Sequence, residues 1–138
     1  MEGSSMAAVA YRITVAAMFS AICADVVQAL PLDGTQWHVK AINSHVTPLK
    51  ADYHIAFKDS RMSARFGCNA ISGSFRLSNG RVTVSQLVST KMACGAPAGA
   101  FEEAAVGILH SPMKVEKSTK DRLRLSNRVG SMDLEPGP

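Results

Sequence analysis

The chain has 138 residues, which is the length of a single domain. Hydrophobic residues make up 46% of it and charged residues 19%. This balance is ordinary for a globular protein that can bury a core. The formal net charge of +4 is compatible with anionic partners but does not require them.

The N-terminal stretch has the pattern of a secretory signal peptide. Arg12 precedes an uncharged apolar run over residues 13–24, and Val27-Gln28-Ala29 places small or apolar residues where a signal peptidase reads. The run is shorter than the roughly 20 residues of a membrane span. We therefore predict a signal peptide over residues 1–29, cleaved after Ala29. Cleavage after Ala24, a retained anchor or a buried N-terminal helix are the alternatives.

Cleavage would change both the charge and the cysteine count. The leader contains Arg12, Glu2 and Asp25, so the mature chain would keep 14 basic and 9 acidic residues, a formal charge of +5. Of the three cysteines, only Cys68 and Cys94 would remain. An even number in an exported chain favours a disulfide, which would close a loop of about 25 residues. Two buried free thiols are the alternative.

The first half of the mature domain alternates apolar and polar residues with the period of half-buried strands. Residues 36–42 predict one strand, and the polar residues 43–52 predict a loop. Residues 53–57 and 62–66 alternate on either side of a turn at Lys58-Asp59-Ser60, which predicts two antiparallel neighbours.

The clearest local signal is Asn79-Gly80, a preferred pair for a two-residue hairpin turn because both positions tolerate positive φ. With this pair as the loop, Leu77 lies opposite Val82. Phe75 then lies opposite Val84, and all four apolar side chains share one face. The sequence therefore predicts a hairpin in this register.

An amphipathic stripe over residues 101–109 predicts a helix that begins near Pro97 and ends at Ser111-Pro112. We interpret the stripe as core packing. Three alternating segments follow, at 113–117, 122–126 and 129–134, and the last four residues are expected to fray. This order predicts an α+β domain in which a curled, mainly antiparallel sheet packs around one helix.

No pattern of polar residues points to catalysis. None of the four histidines has a ligand partner at metal-binding spacing. The sequence also lacks a Cys-x-x-Cys pair, a Gly-x-Ser-x-Gly elbow and a phosphate-binding glycine loop. Glu102 and Glu103 are adjacent on the predicted helix, so they diverge. We expect no enzyme activity, metal or cofactor. A hydrolase is a rival that needs polar groups converging in a cleft.

Six basic residues fall on the outward phases of the predicted strands: Lys40, Lys58, Arg61, Arg65, Arg76 and Arg81. They predict a binding patch for an anionic surface, such as lipid headgroups or envelope polysaccharide. An ordinary solvated sheet face is the alternative. We expect no nucleic-acid partner, because aromatic residues are only 6% of the chain and fall on the buried phase, which leaves no stacking platform.

Two segments carry a resemblance to a known family. Gly67-Cys68-Asn69 is followed by Gly73-Ser74-Phe75, and Thr90-Lys91-Met92-Ala93-Cys94 precedes the helix. With Trp37 in the first strand, this arrangement resembles the META/HslJ-like domain over about residues 35–135. The motif residues are Trp37, Gly67, Asn69, Gly73, Thr90 and Met92, together with the two cysteines.

The resemblance implies an antiparallel half-barrel with one packed helix, pairing of Cys68 with Cys94, and export. It also implies an association with heat-shock or envelope stress, and it supplies no catalytic mechanism. Bacterial relatives are often lipoproteins. Here Ile22 is too large for the position before a lipidated Cys23, so we expect a periplasmic or secreted protein whose META/HslJ-like domain covers residues 30–138.

The motif residues have structural interpretations of their own. Gly67 and Gly73 would adopt backbone angles that other residues avoid, Asn69 would cap the bend beside the bridge, and Met92 would pack in the core. The alternative is a recognition loop pinned by the disulfide.

Two functional hypotheses follow. The first is a non-enzymatic, monomeric protein for envelope stress tolerance that binds an unknown envelope component (protein, lipid or polysaccharide) and keeps no stable membrane span after cleavage. The second is a carrier of a small apolar or lipid ligand inside the curled sheet, in a cavity lined by residues such as Phe57, Phe66, Phe75 and Ile108.

Overall fold

The computed structural model describes residues 32–50, 52–117 and 121–137, so the predicted signal peptide lies outside the described part. The elements are β1 (Thr35–Ile42), β2 (His45–Val46), β3 (Tyr53–Lys58), β4 (Arg61–Phe66), β5 (Ala70–Ser78), β6 (Arg81–Ser89), α1 (Ala98–Leu109), β7 (Met113–Lys117), β8 (Leu123–Ser126) and β9 (Ser131–Pro136). Within the described ranges, no helix has the length and apolar character needed to cross a membrane.

Eight of these strands close into an antiparallel barrel. Neighbours follow the order β1-β3-β4-β5-β6-β7-β8-β9, and β9 returns to pair with β1 from Trp37↔Pro136 to Ile42↔Met132. The short β2 adds to the end of β1 at Ala41↔Val46. The expected half-barrel is therefore wrong, because β9 occupies the edge of β1 that an open sheet would leave unpaired. The α+β class and the mainly antiparallel sheet with a packed helix are confirmed.

The hairpin over residues 75–84 has the predicted register. Phe75 lies opposite Val84 and Leu77 opposite Val82, and the turn residues Asn79 and Gly80 have φ values of 52° and 70°. The antiparallel pairing of β3 with β4 is confirmed as well, with Tyr53–Lys58 running against Arg61–Phe66. Alternation and turn chemistry act locally, which is why the sequence predicts both hairpins.

The helix lies across one end of the barrel, where β1 and β4 end and β3 and β5 begin. Its stripe is core packing, as expected: Ala105, Ile108 and Leu109 are fully buried. Phe101 contacts Tyr53 edge-to-face with ring centroids 5.7 Å apart. The helix thereby closes this end of the barrel and brings its first turns close to the start of β5.

The residues proposed to line a ligand cavity fill the interior instead. Phe57, Phe66 and Ile108 are 0% exposed and belong to one continuous core. Phe57 and Phe75 meet edge-to-face at 4.9 Å. These side chains pack against each other and against the core, which disfavours the carrier hypothesis.

Two details near the ends of β1 differ from expectation. The segment over residues 43–52, predicted as a loop, contains β2. Glu135 and Pro136 were expected to fray, but they belong to β9 and lie opposite His38 and Trp37. In both cases, pairing with β1 orders residues whose own sequence carries little strand signal.

Candidate functional site

Cys68 and Cys94 form a disulfide with their Cα atoms 6.0 Å apart. The bridge joins the short connection between β4 and β5 to the segment that leads from β6 into α1. Both the cysteine count in the mature chain and the family resemblance favoured this pairing, and it is confirmed.

Asn69 is the hydrogen-bonding centre beside the bridge. It is only 5% exposed. Its Oδ1 accepts hydrogen bonds from the Met92 backbone N–H at 2.7 Å and from the Thr90 hydroxyl at 2.9 Å, and its Nδ2 donates to the Met92 carbonyl oxygen at 3.3 Å. The Thr90 hydroxyl oxygen also accepts from the Ala70 backbone N–H at 3.0 Å. Asn69 therefore caps the bend, as expected.

Glu102 completes this cluster and was missed by sequence reasoning. Its Oε1 accepts from the backbone N–H of Asn69 and its Oε2 from Asn69 Nδ2, both at 2.8 Å. We call Asn69, Thr90, Glu102 and the Met92 backbone the Asn69 hub. Asn69 and Glu102 lie 33 residues apart, so no local sequence pattern predicts their contact. The hub ties the first turns of α1 to the start of β5.

Met92 takes part in the Asn69 hub through its backbone N–H and carbonyl group. The residue itself is 56% exposed. The expectation that Met92 packs in the core is therefore wrong. The hub holds the Met92 N–H and carbonyl inward, and this orientation sends the side chain outward. Trp37 is half-buried against the core, and its Nε1 donates to the Thr35 hydroxyl at 2.8 Å.

The two motif glycines serve different needs. Gly67 has φ of +100°, and a Cβ there would lie 2.5 Å from Tyr53 Oη and 2.8 Å from Ala98 Cβ. Burial, with a contribution from Asp52, raises the pKa of that Tyr53 phenol. Gly73 needs no unusual angle. A Cβ there would lie 2.8 Å from the Ser85 carbonyl oxygen, at the irregular stretch between β5 and β6.

The six basic residues divide into three groups. Four lie on the outer surface of neighbouring strands β3, β4 and β5, and we call them the basic face: Lys58, Arg61, Arg65 and Arg76. Lys40 lies on β1 and pairs with Glu135 at 3.7 Å. Arg81 stands at the β5–β6 turn opposite Lys114 of β7.

Within the described ranges, no carboxylate lies within 4.0 Å of a charged nitrogen of the basic face. Other cations do have such partners: Lys40 pairs with Glu135, Lys114 with Glu116, and Arg124 with Asp133. Lys58 and Arg61 even lie directly opposite each other on paired strands. Like charges in that arrangement repel.

Strand register places three outward rows side by side on this surface. The first row is His38, His54, Arg65 and Ala70, the second is Gln36, Ala56, Ser63, Ser72 and Val88, and the third is Lys58, Arg61, Ser74 and Ser85. Three members of the second row, Ala56, Ser63 and Ser72, have small side chains. Two depressions of about 660 and 320 Å³ lie between the first and second rows and share His54 and Ser63. Neither depression is lined by a residue of the third row. We call them together the trough.

One buried polar atom adjoins the trough. His38 lines its narrower part, and His38 Nε2 is buried without a hydrogen-bond partner among the described residues. Asp52 lies at the other end, beside Arg65 and Thr90. The described residues contain no group of three or more His, Cys, Asp or Glu side chains placed to hold a metal ion.

Solved structures share this architecture. One protein studied by NMR is 22% identical, covers 76% of this chain and 91% of its own, and has a TM-score of 0.66. An NMR structure of a protein from Burkholderia xenovorans is also 22% identical, covers 77% of this chain and 83% of its own, and has a TM-score of 0.65. At this identity the likeness shows the fold alone.

No functionally curated protein matches the sequence. Residues 30–134, which include every described strand but the end of β9, match the META domain family. The chain therefore belongs to the META domain family.

Proposed function

We propose that this protein is a non-enzymatic binding domain that is exported to the periplasm or secreted and acts as a monomer. It supports stress tolerance by engaging an anionic component of the cell envelope through the basic face. The observation that carries the proposal is the set of four neighbouring outward cations without a carboxylate partner in the described part of the chain.

The physical reason is the cost of leaving these charges unneutralised. Lys58 repels Arg61 across the β3–β4 pair, and Arg65 and Arg76 add two more positive charges to the same surface. A negatively charged partner offsets this repulsion when it binds. Its attraction to the protein is therefore strongest over the basic face, where the positive charges are closest together. Because the charges are exposed, the attraction weakens as salt screens it over a Debye length of about 8–10 Å.

The polar cluster beside the disulfide supports a structural role rather than a reaction. Asn69 and Glu102 bond each other, and the remaining donors and acceptors of Asn69 bind backbone groups and Thr90. A general acid or base must instead keep a hydrogen-bonding position open for substrate. This saturation favours a binding protein over the rival hydrolase.

Binding to dextran sulfate, a generic polyanion, tests the proposal. The double variant Arg61→Glu/Arg76→Glu should bind at least ten times more weakly than the parent protein in calorimetric titrations at low salt. Arg122→Glu/Arg128→Glu changes the net charge equally at exposed positions outside the basic face and is the matched control. Equal losses in the two double variants would show that net charge alone attracts the polymer, and would refute the proposal.

Export is tested separately by intact mass. Protein recovered from the periplasm of an expressing cell should begin at Leu30, and Cys68 and Cys94 should react with an alkylating reagent only after reduction. A full-length mass with freely reacting thiols would contradict export.

A further inference from the structure

The side of β6 that faces β7 is left open over residues 84–89, and we call this stretch the β6 edge. We propose that the β6 edge is a docking site for an extended segment of a partner protein, which adds to the barrel as one more strand. The segment is apolar, with an acidic residue at its end. The site lies outside the basic face, so this inference does not rest on the proposed function.

The two sides of β6 are paired to very different extents. β5 pairs along the whole length of β6, whereas β7 pairs only with Arg81 and Val82. The chain before β7 turns away, because Pro112 has no N–H to continue the ladder and Ser111 donates its N–H to the Ile108 carbonyl at 3.3 Å. Within the described ranges, β5 and β7 are the only strands paired with β6, and α1 packs chiefly against β1 and β4.

The backbone of the β6 edge directs hydrogen-bonding groups to this open side. The Thr90 N–H bonds the Ala70 carbonyl at 3.1 Å, so the preceding residue, Ser89, turns its N–H and carbonyl away from β5. Phe75 donates its N–H to the β3–β4 turn at 2.9 Å, so its partner Val84 also faces the open side. An extended chain lying alongside can bond such groups at both ends of the edge.

The β6 edge lacks the chemical features that usually keep strands from pairing with other molecules. Residues 83–89 contain neither a charge nor a proline. Val88 is 61% exposed on the outer surface, while Val84 is buried and Leu87 packs partly against the core. An added strand would therefore have an apolar neighbour on each of its two faces, which favours a segment rich in apolar, β-branched residues.

The shape of the edge favours a single segment over a second copy of this chain. Gln86 has φ of 53° and lies opposite the irregularity between Ser72 and Ser74, so β6 bends near the middle of its free stretch. Two copies paired about a two-fold axis would bring these two bends against each other. A single flexible segment can follow the bend.

Basic residues lie beyond both ends of the edge. Arg81 precedes it, and Lys91 is the only charged residue between positions 82 and 101. Neither has a carboxylate within 4.0 Å of its charged nitrogen in the part of the chain that the structure describes. Asp52 lies near the Lys91 end, where it shares a depression with Thr90. The demand for an acidic residue on the partner is therefore greatest at the Arg81 end.

The test uses the disulfide-bonded protein and a capped seven-residue peptide, in which valine and threonine alternate between an aspartate at each end. Binding, followed by NMR, should slow hydrogen exchange of the Ser89 N–H at least tenfold. The Val88 N–H, which faces β5, should change little. A peptide with lysine at each end should bind at least threefold more weakly. Equal binding of the two peptides would overturn the assignment of an acidic partner.

Backbone methylation of the peptide tests whether main-chain bonds hold it. N-methyl groups on alternate residues block one edge of a strand and leave its other edge and its side chains intact. Of two peptides methylated along opposite edges, one should bind like the unmodified peptide, and the other should bind at least tenfold more weakly. Equal binding of both would overturn the inference, as would the absence of binding by the unmodified peptide.

A pair of protein variants locates the site. Ser89→Pro removes the outward N–H and keeps the Thr90 bond to β5, so it should weaken peptide binding at least tenfold. Ser89→Ala loses the same hydroxyl but keeps the N–H, and should bind as the parent does. Circular dichroism establishes that both are folded, and the methylated peptides decide the matter if Ser89→Pro is not. Unchanged binding by folded Ser89→Pro would refute the site, and self-association of the parent protein without peptide binding would assign the edge to a second copy instead.

Discussion

The Asn69 hub and the trough lie on the same barrel but differ in how completely their polar side chains are hydrogen-bonded. At the hub, Asn69 and Glu102 satisfy each other and the backbone around them, and the disulfide lies alongside. At the trough, His38 Nε2 is buried without a partner among the described residues, and on the same surface outside the trough Lys58 lies directly opposite Arg61. Buried polar groups that are fully paired stabilise a fold, whereas unpaired ones on a concave surface are available to a ligand.

Removing the disulfide tests the stabilising region with the largest expected effect. For a loop closed across a separation of 26 residues, Cys68→Ser/Cys94→Ser should lower the free energy of unfolding by about 3–4 kcal/mol. Urea unfolding followed by circular dichroism measures the loss. Below its unfolding midpoint, the variant should still bind dextran sulfate as the parent does. A loss of polyanion binding in the folded variant would show that the two regions are not independent.

Asn69→Ala should cost about 2–3 kcal/mol, because it leaves the Met92 N–H and both Glu102 oxygens short of a partner. Ser89→Ala is the control, since Ser89 is exposed and its hydroxyl bonds, among the described residues, only the neighbouring Thr90 carbonyl. Chemical denaturation of both variants gives the comparison. If the two variants lose the same stability, the hub is not the structural centre that its geometry indicates.

Gly67→Ala separates close packing from backbone strain. Gly67 and Gly80 both have positive φ, but a Cβ at Gly80 would meet nothing within 4 Å. We expect Gly80→Ala to cost about 1 kcal/mol from the backbone alone, and Gly67→Ala roughly twice that, because Tyr53 and Ala98 must also move. Thermal unfolding of the pair measures the difference. Equal losses of stability in the two variants would mean that the Tyr53 ring moves aside at no measurable cost.

The smallest effect should have the opposite sign. Arg61→Gln removes the repulsion with Lys58 and should stabilise the protein by about 0.3 kcal/mol at low salt, with the gain shrinking as salt is added. Arg122→Gln, at an exposed position outside the basic face, is the control. A destabilised Arg61→Gln variant would indicate that Arg61 has a structural role on this surface.

Local signals in the sequence account for much of the fold. Asn79-Gly80 and the alternation around it determine a hairpin register, and the stripe over residues 101–109 marks the buried face of the helix. The closure of the barrel was not predictable in this way. The pairing of Trp37 with Pro136 depends on the twist and number of all the intervening strands, and neither end carries a sequence mark for the other.

The site was predictable to a similar, partial degree. Alternation places Lys58, Arg61 and Arg65 on the outer surface, which the strands confirm. The trough itself depends on which residues stand side by side across five strands, and this follows only from the registers. The partnership of Asn69 with Glu102 was likewise hidden, because the helix must first dock on the end of the barrel before their side chains meet.

The pairing of β9 with β1 also bears on the order in which the strands pair during folding. Most neighbouring strands in the barrel are joined by short connections, but this pair brings together residues about a hundred positions apart. The entropy lost on closing so long a loop makes the pairing a late event. Until residues 131–136 arrive, β1 and β8 each present an open edge to which a strand of another molecule can add. The final strand thus protects the growing chain from aggregation as well as completing its barrel.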